Sequence, residues 1–491
     1  MASEKFRRQL RQEAQQWQGG GLISPDQYEQ LANLYQFERL ETSARDRFIV
    51  TLIGLGSILL GLGVITFVAA NWQAIPRSLK LTLLLTVFLG ANILGYWLWT
   101  RPGVIPGRQS WQQRLGTGFL LLGGLLMGAN LALGSQMFHI GGAAYQLFLV
   151  WGLGVLAMAF GLRLLSLSLL AMLLLGVGYW SGFIEPGNWS GSLGLTVLFQ
   201  GMPLFAAFVY TWLAYRTRSR VVFALGAIAL ITSFFTAAAD LAERFPDAPA
   251  LWLTLVLILP PALLWSYDDY LWWSVVRQPL PQHRWFRSLA QGLAIVYLVA
   301  FTYLASFNWV WANTIDRPSL GLQLSYWFGA GYGLWLNPTI LILILITLAS
   351  WAYLARPTAR VQRWGLVQSD ITMLLLLGFL AFLVIWHVGV SPLGAVATFI
   401  INIILALFSI GFIREGLAEA NRGLFWCGLV LLALHILSRM LEYDTGLLLK
   451  SLSFVLCGVG VILFGLWFER NVRSLERPSV LGPSSSEESI P

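Results

Sequence analysis

The sequence predicts an all-helical, polytopic membrane protein, and three observations carry that expectation. The first is composition. The 491 residues are 57% hydrophobic and only 11% charged, with a mean hydropathy of +0.69. A soluble domain carries roughly a quarter charged residues, so lipid rather than water is the expected solvent for most of this chain. The second is run length. Apolar stretches recur from residue 48 to about residue 468, most of them near the ~20 residues that cross a bilayer core. The third is the distribution of charge. The net charge is +8, yet the basic residues are scattered through short segments between apolar runs. That pattern sets topology and is not a nucleic-acid footprint.

The first 47 residues are polar and read as two amphipathic helices. Phe6, Leu10, Ala14 and Trp17 share one face at helical spacing. Gly19-Gly20-Gly21 ends that helix. Ser24-Pro25-Asp26-Gln27 opens the next, with Ser24 at the N-cap, Pro25 at the first helical position and Gln27 placed to close a capping box. Ile23 and Tyr28 are spaced for a hydrophobic staple, and Tyr28, Leu31 and Tyr35 continue the apolar face. Basic and acidic residues balance here: Lys5, Arg7, Arg8, Arg11, Arg39, Arg45 and Arg47 against Glu4, Glu13, Asp26, Glu29, Glu38, Glu41 and Asp46. A neutral stub is a poor phosphate binder, so nucleic acid is not an expected partner. A packed cytoplasmic hairpin, residues 1–47, resting on the bilayer is expected, with a docking site for a protein partner as the alternative. No apolar core followed by a small-residue cleavage site opens the chain, so the first apolar run is expected to act as the insertion signal.

Residues 48–470 form the membrane domain. Fourteen spans are expected, near 48–70, 79–99, 115–137, 144–162, 164–184, 193–214, 221–241, 249–267, 288–311, 338–355, 370–390, 392–413, 423–441 and 446–468. The fourth and fifth are separated by little more than Arg163. With the N-terminus inside, the outer segments hold only Arg77, Lys80, Arg244 and Arg317, and Arg439 and Lys450 lie in or beside helices. The other 25 of the 31 Lys and Arg residues then fall in the stub, the inner loops or the tail, as the positive-inside rule requires. Both termini are therefore expected in the cytoplasm. Residues 319–336 are aromatic and Gly-rich and read as interfacial or re-entrant. The tail, residues 471–491, is Pro/Ser-rich towards its end and expected to be disordered.

No catalytic signature is present: no phosphate-binding Gly-rich loop with Lys, no H-E-x-x-H and no G-x-S-x-G. His139, His283, His387 and His435 are scattered, and Cys427 and Cys457 lie in separate apolar runs, so neither a metal nor another cofactor is expected. Asp268-Asp269 reads as a solvated helix end. The informative residues are polar ones inside spans, because lipid makes them costly. Gly124, Gly128, Ala132 and Gln136 recur every four residues, a small-residue stripe suited to close helix contact. Asn130 lies on another face. These residues fit either interhelical packing or a polar path. In the last helix pair, His435 and Arg439 share a face, Glu442 follows by three residues, and Asp444 and Lys450 flank the turn. Arg439 is placed to snorkel or to clamp that hairpin through Glu442 or Asp444. Asn-Trp occurs at Asn71-Trp72, Asn188-Trp189 and Asn308-Trp309, each at the outer end of a span. A four-helix repeat and the Trp preference for membrane interfaces both account for that.

The stretch 48–80, FIVTLIGLGSILLGLGVITFVAANWQAIPRSLK, organises the rest: a Gly-rich helix closed by an outer turn with Asn71, Trp72, Ile75 and Pro76. Together with Trp17 and Gly21-Leu22-Ile23-Ser24, it resembles the bacterial predicted membrane proteins of domain of unknown function 2157, most specifically over residues 15–100. The C-terminal hairpin with Arg439, Glu442 and Asp444 is similar to related members. The resemblance implies a multi-pass bacterial inner-membrane protein and supplies no activity. The number of spans and the intramembrane polar residues favour a transporter-like or channel-like protein. The scarcity of intramembrane acids and the neutral stub favour a non-transporting scaffold or sensor. A membrane enzyme ranks third, since the loops are short.

Overall fold

The computed structural model describes residues 4–35, 76–101, 110–139, 141–184, 193–271, 286–312, 321–322, 324–325, 337–356, 365–443 and 446–475. The first expected span, with Asn71 and Trp72, lies outside them. So do Asn188-Trp189, Asp444, most of 319–336 and the tail beyond residue 475. No strand occurs among the described residues. The chain divides into two compact units, one of residues 1–90 and 133–139, the other of residues 91–132 and 140–491.

The first unit contains a helical hairpin, α1 (Glu4–Gly19) and α2 (Pro25–Tyr35). Ala14 is fully buried, with Leu10, Trp17, Ile23, Tyr28, Ala32 and Tyr35 packed around it. The turn needs Gly21, whose φ of +74° lies where a side chain is strained. The capping box forms: Gln27 N–H donates to Ser24 Oγ at 3.2 Å, and Ser24 N–H donates to Gln27 Oε1 at 2.9 Å.

The long helices follow: α3 (Arg77–Trp99), α4 (Trp111–Met137), α5 (Ala144–Leu162) and α6 (Leu165–Ile184). Next come α7 (Leu193–Gln200), α8 (Met202–Thr217), α9 (Arg220–Arg244), α10 (Pro249–Trp265), α11 (Arg287–Ala305) and the short α12 (Asn308–Ala312). The series ends with α13 (Pro338–Leu354), α14 (Gln368–Gly389), α15 (Gly394–Ala418), α16 (Arg422–Glu442) and α17 (Leu447–Leu475). Ten of the described helices are long and apolar enough to cross a membrane, and α7 with α8, taken as one bent span, makes eleven. Helices α10 and α13 are apolar but only 17 residues long. Helix α17 runs past the expected boundary at residue 470, because propagation adds one hydrogen bond per residue once a helix exists.

In the second unit, tight turns set neighbouring helices side by side. Arg163 closes α5 in the left-handed conformation (φ 55°), and α6 starts at Leu165. Arg218 (φ 52°) and Ala420 (φ 52°) end α8 and α15 in the same way, and Ser219 and Asn421 then cap α9 and α16. A left-handed non-Gly residue costs roughly 1–2 kcal/mol, which the packing of each hairpin offsets. Between α7 and α8 the chain bends by 63° at Gly201. Pro203 has no N–H, and its ring opposes the carbonyl of Phe199 four residues back.

Glycines let helices meet. A Cβ on Gly95 or Gly116 would strike the backbone of the facing helix, α4 or α3, at 2.9 and 2.5 Å. At the centre lies α10, apolar all round, packed against α9, α11, α13 and α14. Pro260 leaves the Val256 carbonyl without its helical partner. Tyr297 of α11 supplies the missing donor, its hydroxyl lying 2.5 Å from that oxygen. Trp351 of α13 donates to the Ala262 carbonyl at 3.1 Å.

Candidate functional site

Helix α11, roughly 28 Å long at 1.5 Å per residue, has a buried polar cluster at each end. At its C-terminal end the backbone breaks between α11 and α12. In lipid, the groups released by such a break must find partners inside the protein. The Ala305 carbonyl accepts from Trp311 Nε1 at 2.5 Å. The fully buried Ser306 supplies a carbonyl that accepts from Arg439 Nη1 at 2.6 Å and from Asn402 Nδ2 at 2.9 Å. The Asn308 N–H donates to Glu442 Oε1 at 2.5 Å. Two helices therefore reach across to repair the break, α15 with Asn402 and α16 with Arg439 and Glu442.

Arg439 is 8% exposed. Its guanidinium ion-pairs with Glu442 through Nη1 and lies over the Phe307 ring, 4.1 Å from the centroid. A cation at a helix C-terminus also meets the negative end of the macrodipole. Its Nε and Nη2 have no hydrogen-bond partner among the described residues. Asn402 Nδ2 donates to the Thr398 and Ser306 carbonyls, at 2.7 and 2.9 Å. Its Oδ1 therefore faces His435 Nε2 at 2.6 Å, so that ring nitrogen carries the proton. Thr398 Oγ1 donates to Asn308 Oδ1 at 3.3 Å.

The cluster at the N-terminal end of α11 corrects an expectation. Asp268 and Asp269 are 2% and 1% exposed, not a solvated helix end. Asp269 accepts from Tyr215 OH at 2.6 Å and from the N–H groups of Phe286 and Arg287 at 3.1 and 3.2 Å, thereby capping α11. Asp268 accepts from the Tyr270 N–H at 2.9 Å and ion-pairs with Arg287 at 2.6 Å. Tyr267 and Tyr215 share a hydrogen bond at 2.6 Å. Nearby in sequence, Trp265 Nε1 donates to the buried Asp370 at 3.0 Å. Local charge pattern marked these acids as exposed, because their partners lie far away in sequence.

The remaining sequence candidates separate. Arg439 is buried and pairs with Glu442, one of its two expected partners, and it also ties α16 to the Ser306 carbonyl at the α11–α12 break. Asn130 is half-buried and donates to the Leu126 carbonyl of its own helix at 2.9 Å. Gln136 and Pro76 are exposed, and Pro76 supplies the carbonyl that receives the first bond of α3, from the Lys80 N–H at 3.1 Å. The Gly124/Gly128 stripe receives Trp151, whose indole N–H donates to the Gly124 carbonyl at 2.7 Å and whose ring lies where a Gly128 Cβ would be. Lys450, in the first turn of α17, forms no ion pair among the described residues. His387 accepts from the Leu393 N–H at 3.0 Å. The described residues hold no cluster of three or more His, Cys, Asp or Glu able to bind a metal. Sequence reading missed Ser306, Thr398 and Asn402. The one available signal was Asn402, an amide inside a 25-residue apolar helix.

Two apolar cavities lie elsewhere. One, of about 550 Å³, is bounded by α6, α8 and α9 and includes Tyr179, Tyr210 and Ser233. The other, of about 560 Å³, is bounded by α15, α16 and α17 and includes Phe425, Ser453 and Cys457. Neither is lined by Asn130, Gln136, His435 or Arg439.

No curated protein and no solved structure matches the chain. The polar clusters at both ends of α11 lie beyond residues 15–168, which match a family model, and that match runs further than residues 15–100 without reaching the C-terminal hairpin. This is a membrane protein with multiple apolar helices, and its residues 15–168 match the family described as Predicted membrane protein, domain of unknown function 2157.

Proposed function

We propose that this chain is a transporter-like or channel-like protein of a bacterial inner membrane, with its solute or ion site at the α11–α12 break. The observation that carries the reading is the gathering of Arg439, Glu442, His435 and Asn402 around backbone that leaves the helix between α11 and α12. Non-helical backbone at membrane depth is tolerated where protein buries it or where it lines a cavity, and broken helices commonly build substrate sites in transporters. The bent span α7–α8, with its π-helical segment at Ala206–Tyr210, adds a second irregular element of the kind found at functional sites. The basic-residue distribution supports fourteen spans with both termini cytoplasmic.

Water access tests this reading. Cys427→Ala and Cys457→Ala remove the native thiols, and single cysteines replace Asn402, His435 and Asn130, with His139 as an exposed control. A membrane-impermeant thiol reagent applied from each side should label positions 402 and 435. Labelling of the control alone would sink the transport reading for this state. A second reading then takes over, favoured by the apolar lining of both large cavities. It is a non-transporting scaffold or sensor whose α1–α2 hairpin, with Leu22 and Leu34 exposed, docks a protein partner.

A further inference from the structure

We infer that the unpaired edge of Arg439 is a binding site for a small monocarboxylate, an inference that rests on the transporter-like reading of the α11–α12 break. Every other contact holds the guanidinium still. One face stacks on Phe307, and Nη1 is engaged by the Ser306 carbonyl and Glu442. Nε and Nη2 form the opposite edge of the fork, the side-on pair of parallel N–H donors that matches the two oxygens of a carboxylate. Both are buried, and neither meets an acceptor among the described residues. Buried, unanswered N–H groups on a permanent cation are strongly unfavourable, and a carboxylate is the ligand that satisfies both at once.

Charge selects the class further. With Glu442 already paired to Arg439, a monoanion leaves the cluster at one negative charge and a dianion at two, so charge disfavours the dianion and the fork geometry carries the recognition. Asn402 adds no further donor, since it spends its amide hydrogens on the Ser306 and Thr398 carbonyls. A monoanion recognised by shape, with two oxygens on one planar carbon, fits these features. A spherical anion of the same charge meets one N–H well and the other poorly.

The purified full chain in detergent is titrated with acetate, and with chloride at matched ionic strength, while thermal unfolding is followed. Acetate should raise Tm saturably and chloride should not. Arg439→Lys keeps the charge and loses the fork, and should weaken acetate by about ten- to a hundredfold, the loss of one charge-assisted hydrogen bond. Glu442→Gln keeps an acceptor for the Asn308 N–H and removes the negative charge beside Arg439, so it should tighten acetate. This second variant decides the matter if Arg439→Lys does not fold. Equal effects of chloride and acetate, or an acetate shift that survives Arg439→Lys, would overturn the inference. So would a response seen only in Asp444→Asn, since the chain would then supply its own carboxylate. Acetate binding without thiol labelling at positions 402 and 435 leaves this site standing and removes the transport reading. Labelling without acetate binding does the reverse.

Discussion

At the scale of single residues, the decisive contacts are those that satisfy a backbone group lipid cannot reach. Asp269 is the clearest. One carboxylate takes a phenol and two backbone N–H groups, and Asp269→Ala strands the Phe286 and Arg287 N–H groups while the Tyr215 hydroxyl keeps Tyr267. Each stranded buried donor costs roughly 1–3 kcal/mol. A loss of at least about 2 kcal/mol is expected for this variant by reversible denaturation in mixed micelles, and a loss under about 1 kcal/mol would mean water already reaches the site. Asp268 is tied mainly through Arg287, whose side chain is 18% exposed. Removing the acid leaves a partly hydrated cation, so Asp268→Ala should cost less than Asp269→Ala in the same measurement. Gly128 is a steric case. Any side chain there displaces the Trp151 ring, and Gly128→Leu should destabilise by about 1–3 kcal/mol through overpacking. Trp151→Ala on the Gly128→Leu background should recover part of that loss.

At the scale of elements, the bundle is built from helices that are interrupted on purpose and repaired from outside. Pro260 breaks the ladder of α10, and Tyr297 of α11 answers the freed Val256 carbonyl. Tyr297→Phe is expected to cost about 1 kcal/mol, a typical net hydrogen bond. With Pro260→Ala already present, the helix supplies its own N–H and the same change should cost little. A double-mutant cycle reads that coupling directly, and additive single effects would refute the repair. The α11–α12 break follows the same logic with larger parts, Arg439, Asn402, Glu442 and Trp311 replacing the missing turn. Hairpin geometry is also local. Arg163, Arg218 and Ala420 each hold a left-handed turn, so Arg163→Gly should leave α5–α6 packing intact and change stability by no more than about 1 kcal/mol in either direction.

At the scale of the whole molecule, ten to eleven long apolar helices and two shorter ones among the described residues make a membrane protein, and its buried charged groups are not spread along a continuous line. They concentrate at the two ends of α11, with an apolar helix of 19 residues between them. The α11–α12 break is the place where solute access is to be sought, and thiol labelling from each side is the measurement that finds it. Reporter fusions at the two termini give the complementary test of topology: both should report the cytoplasmic side, and opposite sides would require an odd number of spans.

The sequence alone determined the class of object and much of its local grammar. Apolar run length, the Ser24–Gln27 capping box, the hairpin turn at Arg163 and the special weight of Arg439 all depend on residues within a turn or a span of one another. A bilayer permits few structures for such runs, so composition goes far. Tertiary structure decided who answers whom. Asp269 meets Phe286 and Tyr215, Arg439 meets Ser306, and Asn402 meets His435, across gaps of 17 to 133 residues. Such partners are chosen by helix packing and by the need to satisfy buried groups, and neither leaves a periodic mark in the chain. Asp268 and Asp269 looked exposed for that reason, and Asn402 drew no expectation at all.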